Sequence, residues 1–281
     1  MQLDFREIDP LLDQALIEDI GRGDVTSNAV VPEDERAKFN IVNKRPLIVS
    51  GLTVIIRVFQ KIQPDIIIDI HKNEGEYAES GQILVSGEGY ARAILAAERV
   101  AINLLQHMCA ISTLTRQYVD AVSGTHATIL DTRKTTPILR MLEKYSVKVG
   151  GGANHRYRLD DGVLIKDNHI VIAGGVKEAV NRARAASSVM ARIEVECETL
   201  EQVQEALDVK ADMIMLDNMS VEQMELACRM VKGRVPVEAS GNVTLKTVKQ
   251  IAETGVNFIS VGRLTHSTPS VDISLDLFKF D

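Results

Sequence analysis

Two short runs, Arg192-Ile-Glu-Val-Glu196 and Met213-Ile-Met-Leu-Asp217, decide the fold. The second is mostly long aliphatic, the first sets Ile193 and Val195 between charged residues, and each stops on a carboxylate. Apolar runs of this length, bounded by polar residues, read as buried strands. The same texture recurs on both sides: Ala127-Thr-Ile-Leu-Asp131, Gly162-Val-Leu-Ile-Lys166, Val235-Pro-Val-Glu-Ala239 and Phe258-Ile-Ser-Val-Gly262. The runs end at 131, 166, 196, 217, 239 and 262, so the spacings are 35, 30, 21, 22 and 23. Units this short hold one strand, one helix and two tight loops. Alternating strand and helix signals predict a parallel sheet. The compact repeat favours a β/α barrel over a doubly wound sheet, and no GxGxxG follows the first strand.

What ends each run matters more than the runs themselves. Asp131, Lys166, Glu196, Asp217, Ser240-Gly241 and Gly262 lie at or just beyond successive strand ends. In a β/α barrel these ends meet on the face that carries the active site. Charges next to apolar strands are costly unless paired or used. The segment Asp131-Thr-Arg-Lys134 supplies Arg133 and Lys134, Gly150-Gly-Gly-Ala-Asn-His-Arg156 supplies His155 and Arg156, and Lys166 completes the group. Several cations and a histidine aimed at one pocket fit a ligand with at least two carboxylate or phosphate groups. For any single one of them, a surface ion pair with Asp160 or Asp161 is the plainer reading. Glu196 and Asp217 offer oxygen ligands, direct or through water, to a hard cation such as Mg2+. An ion pair between Glu196 and Lys166 is the competing use. Ser240, Gly241 and Gly262 leave the last two strands, where barrels commonly hold phosphate on backbone N–H groups.

Upstream, Ile8 to Asp19 has helical spacing, and Asp19 to Ser27 reads as turn chemistry. From Ala37 to Glu88 the signals are mostly β. A long helix is expected from Ala91 to about Val122. With 281 residues the chain has room for one or two domains and a full core. Lys plus Arg is 32 and Asp plus Glu is 39, a net charge of −7, so nucleic acid and anionic membrane are not bulk partners. Aromatics are 4% with no Trp, which leaves no base-stacking platform. Cys109, Cys197 and Cys228 show neither disulfide nor zinc spacing. The acidic N-terminus lacks an apolar h-region, and the most hydrophobic stretch, Pro46 to Phe59, is too short and polar to span a bilayer. A reduced, cytoplasmic protein is the expectation.

Eight motifs, in order along nearly the whole chain, resemble the quinolinate phosphoribosyltransferase family. They are Glu18-Asp-Ile-Gly-Arg-Gly-Asp-Val-Thr-Ser27, Asp131-Thr-Arg-Lys-Thr-Thr-Pro-Ile-Leu-Arg140, Gly150-Gly-Gly-Ala-Asn-His-Arg156, Leu164-Ile-Lys-Asp-Asn-His169, Ile193-Glu-Val-Glu196, Leu216-Asp-Asn218, Glu238-Ala-Ser-Gly241 and Val261-Gly-Arg-Leu-Thr-His-Ser267. The resemblance implies an α/β fold: an N-terminal α/β open sandwich, residues 1–110, with 268–281 packing back on it. An open, incomplete β/α barrel of the type II phosphoribosyltransferase kind, residues 111–267, follows. It implies a pentosyltransferase of NAD biosynthesis that joins quinolinate to phosphoribosyl pyrophosphate and gives nicotinate mononucleotide, pyrophosphate and CO2, with Mg2+. It also implies a homodimer or homohexamer in which Arg99 crosses to the partner's site, although Arg99 alone reads as a solvated helix residue. Arg99, Arg133, His155, Arg156 and Lys166 match the quinolinate-binding group, and Lys134 a lysine near pyrophosphate. Glu196 and Asp217 match the acidic pair at ribose and metal; Ser240, Gly241, Gly262 and His266 match the phosphate side. Lys134, Lys166, Glu196 and Asp217 are the expected catalytic residues. Ala239 and Asn242 stand where the family commonly has Ser and Gly. The alternatives are a Schiff-base barrel lyase using Lys166, and an anion-binding or molybdenum-transport-associated relative.

Overall fold

The computed structural model describes residues 3–279. They form two compact units. The first gathers the residues up to Arg116, Thr136–Gly151 and those from Ser267 onward; the second holds Gln117–Thr135 and Gly152–His266.

In the first unit, α1 (Phe5–Ile20) starts at Asp4, whose carboxylate accepts the Arg6 amide and so satisfies an orphan donor of the first turn. A short helix, α2 (Val25–Val30), follows where a turn was expected. Asp24 accepts the amides of Thr26 and Ser27, so the acidic residue of that stretch is a helix cap. Next come β1 (Arg36–Asn43), β2 (Leu47–Ile48), α3 (Leu52–Ile62), β3 (Ile67–Ile70), β4 (Tyr77–Ala78), β5 (Ile83–Tyr90) and the long α4 (Ala91–Ala121).

Helix α3 overturns the expectation of β structure through this region. Its β-branched Val54, Ile55 and Val58 suggest a strand by composition. Yet Leu52, Val54, Ile55, Val58 and Phe59 are all buried, the i, i+3, i+4 pattern of one helix face. Gly51 makes the start possible. Its φ is +103°, and a Cβ there would run into the Met108 side chain. Glu74 accepts the Gly51 and Leu52 amides.

Strand β6 (Thr128–Leu130) opens the second unit, α5 (Arg140–Val149) belongs to the first, and β7 (Val163–Ile165) resumes the second. There follow α6 (Asp167–Ala173), α7 (Val176–Ala186), β8 (Ile193–Cys197), α8 (Leu200–Asp208), β9 (Met213–Asp217), α9 (Val221–Val231), β10 (Val237–Ser240), α10 (Val248–Glu253), β11 (Phe258–Ser260) and α11 (Arg263–His266). All six expected strands are present. They form one parallel sheet in the order β6-β11-β10-β9-β8-β7. The sheet closes on itself except between β6 and β7, so it is an open β/α barrel. The chain then returns to the first unit as β12 (Ile273–Lys279), which pairs antiparallel with β1 and gives the order β12-β1-β5-β3.

The unit boundaries differ from a simple cut at 110/111. The division falls inside α4, after Arg116, and residues 136–151 leave the barrel segment for the first unit. The reason is burial: Leu142 and Tyr145 of α5 belong to the same apolar cluster as Leu12, Phe39, Ile55 and Leu105. Helix α4 has the length and composition to cross a membrane, but 61% of its most apolar window is buried inside the protein, as in a core helix.

Phe39 on β1 is 1% exposed and stacks on Phe59, with ring centroids 5.0 Å apart. Phe39→Ala should therefore cost the first unit about 3–5 kcal/mol, measured as a lowered urea midpoint.

Candidate active site

A cavity of about 620 Å³ lies at the C-terminal ends of the barrel strands. It is lined by Thr132, Arg133 and Lys134 after β6, His155 and Arg156 from the loop before β7, Lys166 after β7, Glu196 of β8, Asp217 at the end of β9 and Asn218 after it, Glu238 and Ser240 of β10, and Gly241 and Asn242 after β10. The barrel geometry thus brings nine of the sequence-derived residues to one cavity: Arg133, Lys134, His155, Arg156, Lys166, Glu196, Asp217, Ser240 and Gly241. Gly262 and His266 adjoin it. A Cβ on Gly262 would lie 3.1 Å from Lys134 Cδ and 3.3 Å from His266 Cδ2, and Thr265 Oγ1 donates to the Lys134 carbonyl at 2.7 Å. Arg99 does not line the cavity; it is exposed on α4 in the first unit.

The cations crowd one another. Burial, and after it the charge of Arg133, loosens the proton of Arg156 below the ordinary guanidinium value. Arg156 Nη1 donates to the Gly162 carbonyl at 2.9 Å, whereas Arg133 Nε is buried without a hydrogen-bond acceptor. Two adjacent guanidinium groups with donors to spare demand an anion. Across the cavity Lys166 and Glu196 form the anticipated ion pair. Asp217 Oδ2 accepts from Asn218 Nδ2 at 2.7 Å. The rim is tight: Asn242 Nδ2 donates to Asn218 Oδ1 at 3.0 Å, and Gly241, at φ +92°, leaves no room for a Cβ against Asn218. Asn218 and Asn242 both hold positive φ, at 54° and 51°.

At the floor of the cavity lies a layer whose two glutamates, Glu194 and Glu238, the sequence reading passed over. Asp131 does not face the ligand space; it is 0% exposed. Its Oδ1 accepts the His155 amide at 2.9 Å and its Oδ2 accepts Asn154 Nδ2 at 2.6 Å. The Ala153 amide donates to the Ile129 carbonyl, so the loop is laced along the otherwise unpaired edge of β6. His155 Nδ1 accepts the Arg156 amide at 2.8 Å, which puts the ring proton on Nε2. That nitrogen faces Glu194 Oε2 at 3.1 Å and Glu238 Oε2 at 3.6 Å. Neither Glu238 oxygen makes a hydrogen bond, nor does Glu194 Oε1. Burial first, and the Glu194 charge second, pushes the Glu238 carboxyl up to about 8. Strand alternation was the available signal: Glu194 shares a strand face with Glu196, and Glu238 with Ser240.

Two groups could hold a cation by donor type. Glu196 and Asp217 end adjacent strands with oxygen donors suited to a hard ion. His155, Glu194 and Glu238 have ligand atoms within 4.8 Å of one another. The hydrogen bond into Nδ1 excludes the second group, because it leaves a proton rather than a lone pair on Nε2.

Glu238 has a consequence for stability. Its folded value, about 8, lies above the ordinary 4.5 of a free glutamate. Stability from the bound proton is complete below 4.5 and is lost as pH rises toward 8. Glu238→Gln removes this dependence. Its melting temperature relative to the wild type should climb across that window and level off above it, as calorimetry at stepped pH would record.

The comparisons with known proteins agree with this architecture. The quinolinate phosphoribosyl transferase C-terminal domain model matches residues 111–276 and the N-terminal domain model residues 24–109. A relative from Bacillus subtilis (strain 168), named "Probable nicotinate-nucleotide pyrophosphorylase (carboxylating)", is 42% identical over 96% of this chain and 93% of its own. A chloroplastic nicotinate-nucleotide pyrophosphorylase (carboxylating) from Oryza sativa subsp. japonica is 40% identical over 96% of this chain and 78% of its own. The crystal structure of NadC from Streptococcus pyogenes superposes with a TM-score of 0.96 at 39% identity, covering 100% of both chains. That of the Ehrlichia chaffeensis nicotinate-nucleotide pyrophosphorylase gives 0.94 at 42% identity, covering 99% of this chain and 100% of its own. Sequence, strand order and cavity converge on one conclusion: the chain belongs to the quinolinate phosphoribosyltransferase family.

Proposed function

We propose that the barrel cavity transfers the phosphoribosyl group of phosphoribosyl pyrophosphate to quinolinate and releases pyrophosphate and CO2, leaving nicotinate mononucleotide for NAD biosynthesis. The observation that carries this reading is the grouping of Arg133, Arg156 and Lys166 around one cavity, with Glu196 and Asp217 on the neighbouring strand ends. An aromatic dicarboxylate supplies the two anionic groups that this cluster lacks. Each charge-assisted hydrogen bond to it contributes about 1.5–3 kcal/mol.

In this reading Arg133, Arg156 and Lys166 clamp the two carboxylates and hold the pyridine nitrogen toward the ribose. Lys134, on the exposed side of the same loop, meets the pyrophosphate. The Ser240–Asn242 turn meets the sugar phosphate through backbone N–H groups. As the C1–oxygen bond breaks, the ribose becomes cationic, and Glu196 and Asp217 stabilise it electrostatically. The same two carboxylates would hold Mg2+, which when bound offsets the charge of the departing pyrophosphate. Once alkylated, the ring nitrogen is cationic and stabilises the electron pair left on the adjacent carbon as CO2 departs, and a proton from water then takes the place of CO2 on that carbon, so the substrate serves as its own electron sink. The work left to the chain is positioning and charge complementarity. His155, with both ring nitrogens engaged at the cavity floor, supports Arg156 and the ligand rather than transferring a proton.

A second copy of the chain would complete the site by supplying Arg99 from its exposed position on α4. Three free thiols, two of them buried and pushed up to about 12 by burial, suit a reducing cytoplasm. A Schiff-base role for Lys166 is disfavoured by its pairing with Glu196 and by its 45% exposed side chain, since such amines are activated by enclosure in apolar surroundings.

Purified protein with quinolinate and phosphoribosyl pyrophosphate should release CO2 and pyrophosphate in equal amounts, with nicotinate inert as the comparison substrate. EDTA should stop the reaction and Mg2+ restore it. Arg133→Ala should lower kcat/KM for quinolinate by about 10- to 150-fold with little change in melting temperature. Arg99→Ala and Lys166→Ala, each poorly active alone, should regain activity when mixed, because a hybrid dimer contains one intact site.

A further inference from the structure

The floor of the cavity holds more carboxylate than its hydrogen bonds can keep ionised. Glu238 of β10 lines the cavity, and Glu194 of β8 meets it beside His155, with ligand atoms of all three within 4.8 Å of one another. The Glu238 side chain is 0% exposed and that of Glu194 is 9% exposed. The groups that face Glu238 are Glu194, His155, Asp131 at the end of β6, and Ser260 of β11. Two of these are acids, and the imidazole gives its single ring proton to Glu194 at 3.1 Å. The Ser260 hydroxyl faces Glu238, but neither Glu238 oxygen is in good hydrogen-bond geometry with any donor, and Glu194 Oε1 has none either. A buried, ionised carboxylate without a donor is strongly disfavoured. A proton on Glu238 removes that charge, and the Glu194 carboxylate, with an oxygen within 4.8 Å of one on Glu238, is the acceptor beside it.

We propose that Glu238 is held as a neutral carboxylic acid and serves as a positioning residue for the anion site: its O–H, directed at Glu194, fixes the carboxylate that orients His155 and keeps a second negative charge out from under the bound substrate. The inference rests on the reading of the cavity as a quinolinate site. The clamp of Arg133, Arg156 and Lys166 must hold two carboxylates, both ionised throughout the neutral and alkaline range. Ionising Glu238 would set another negative charge against the same cations, from below. Binding of the dianion and retention of the Glu238 proton are therefore linked, and each strengthens the other. The raised proton affinity of Glu238, driven by burial and by Glu194, agrees with this geometry.

The test is calorimetric titration of the purified protein with quinolinate across neutral and alkaline pH. Wild-type affinity should fall about tenfold between pH 7 and pH 9. Glu238→Gln should hold its affinity within about twofold over that range and bind more tightly than the wild type at the alkaline end. The alkaline rise should appear in KM and not in kcat. A measurement on the wild type alone covers the case in which the variant does not fold: near pH 8, titrations in buffers of different ionisation heat should show a fraction of a proton taken up per quinolinate bound. A wild-type affinity that is flat with pH, a fall shared equally by wild type and variant, or binding with no proton uptake would overturn the inference while leaving the substrate assignment intact. No quinolinate binding at any pH would overturn the substrate assignment, and the inference with it.

Discussion

The carboxylate of Asp131, sealed at the end of the first barrel strand, is the contact on which the site depends. It accepts the main-chain amide of His155 and the side-chain amide of Asn154, and it does so at the open edge of the barrel, where no neighbouring strand supplies pairing. A buried carboxylate accepting two N–H donors is both satisfied and directional. Through it the loop carrying His155 and Arg156 is anchored to the strand whose own exit carries Arg133 and Lys134. Without such an anchor, an open barrel would leave its most cationic segment on its least supported edge.

On this anchor the molecule builds an electrostatic arrangement that opposes its overall charge. The chain is acidic, yet one cavity collects five basic side chains from three separate loops. Attraction at long range cannot be the purpose, since the summed field of a net-negative protein repels anions. What remains is short-range recognition: guanidinium donors held close enough to repel each other, partly desolvated, and released from strain when a dianion enters. The acids beneath and opposite them, Glu194, Glu196, Asp217 and Glu238, set how much positive charge the cavity presents.

Much of the architecture was legible in the sequence. The six barrel strands were readable because burial on both faces makes them largely apolar, with the glutamates of β8 and β10 as the exceptions. Helix α3 was not, because β-branched residues that pack a helix against a sheet carry the same composition as a strand. Residues 24–27 were read as turn because Asp24 and its neighbours favour caps and turns alike, and only the following backbone decides which. The place of α5 in the first unit could not be read either. Its apolar face, Leu142 and Tyr145, specifies burial but names no partner.

The sequence by itself determined the strand positions, the cationic loops and the residue types at the strand ends, because these depend on local pattern and on motif spacing. Only the tertiary structure decided which of those charges share a cavity, that Asp131 faces inward as a latch, and that Glu194 and Glu238 lie together under His155. The physical reason is that burial and pairing of charged groups arise between strands far apart in the chain. Their proton affinities follow from that packing and are encoded in no single segment.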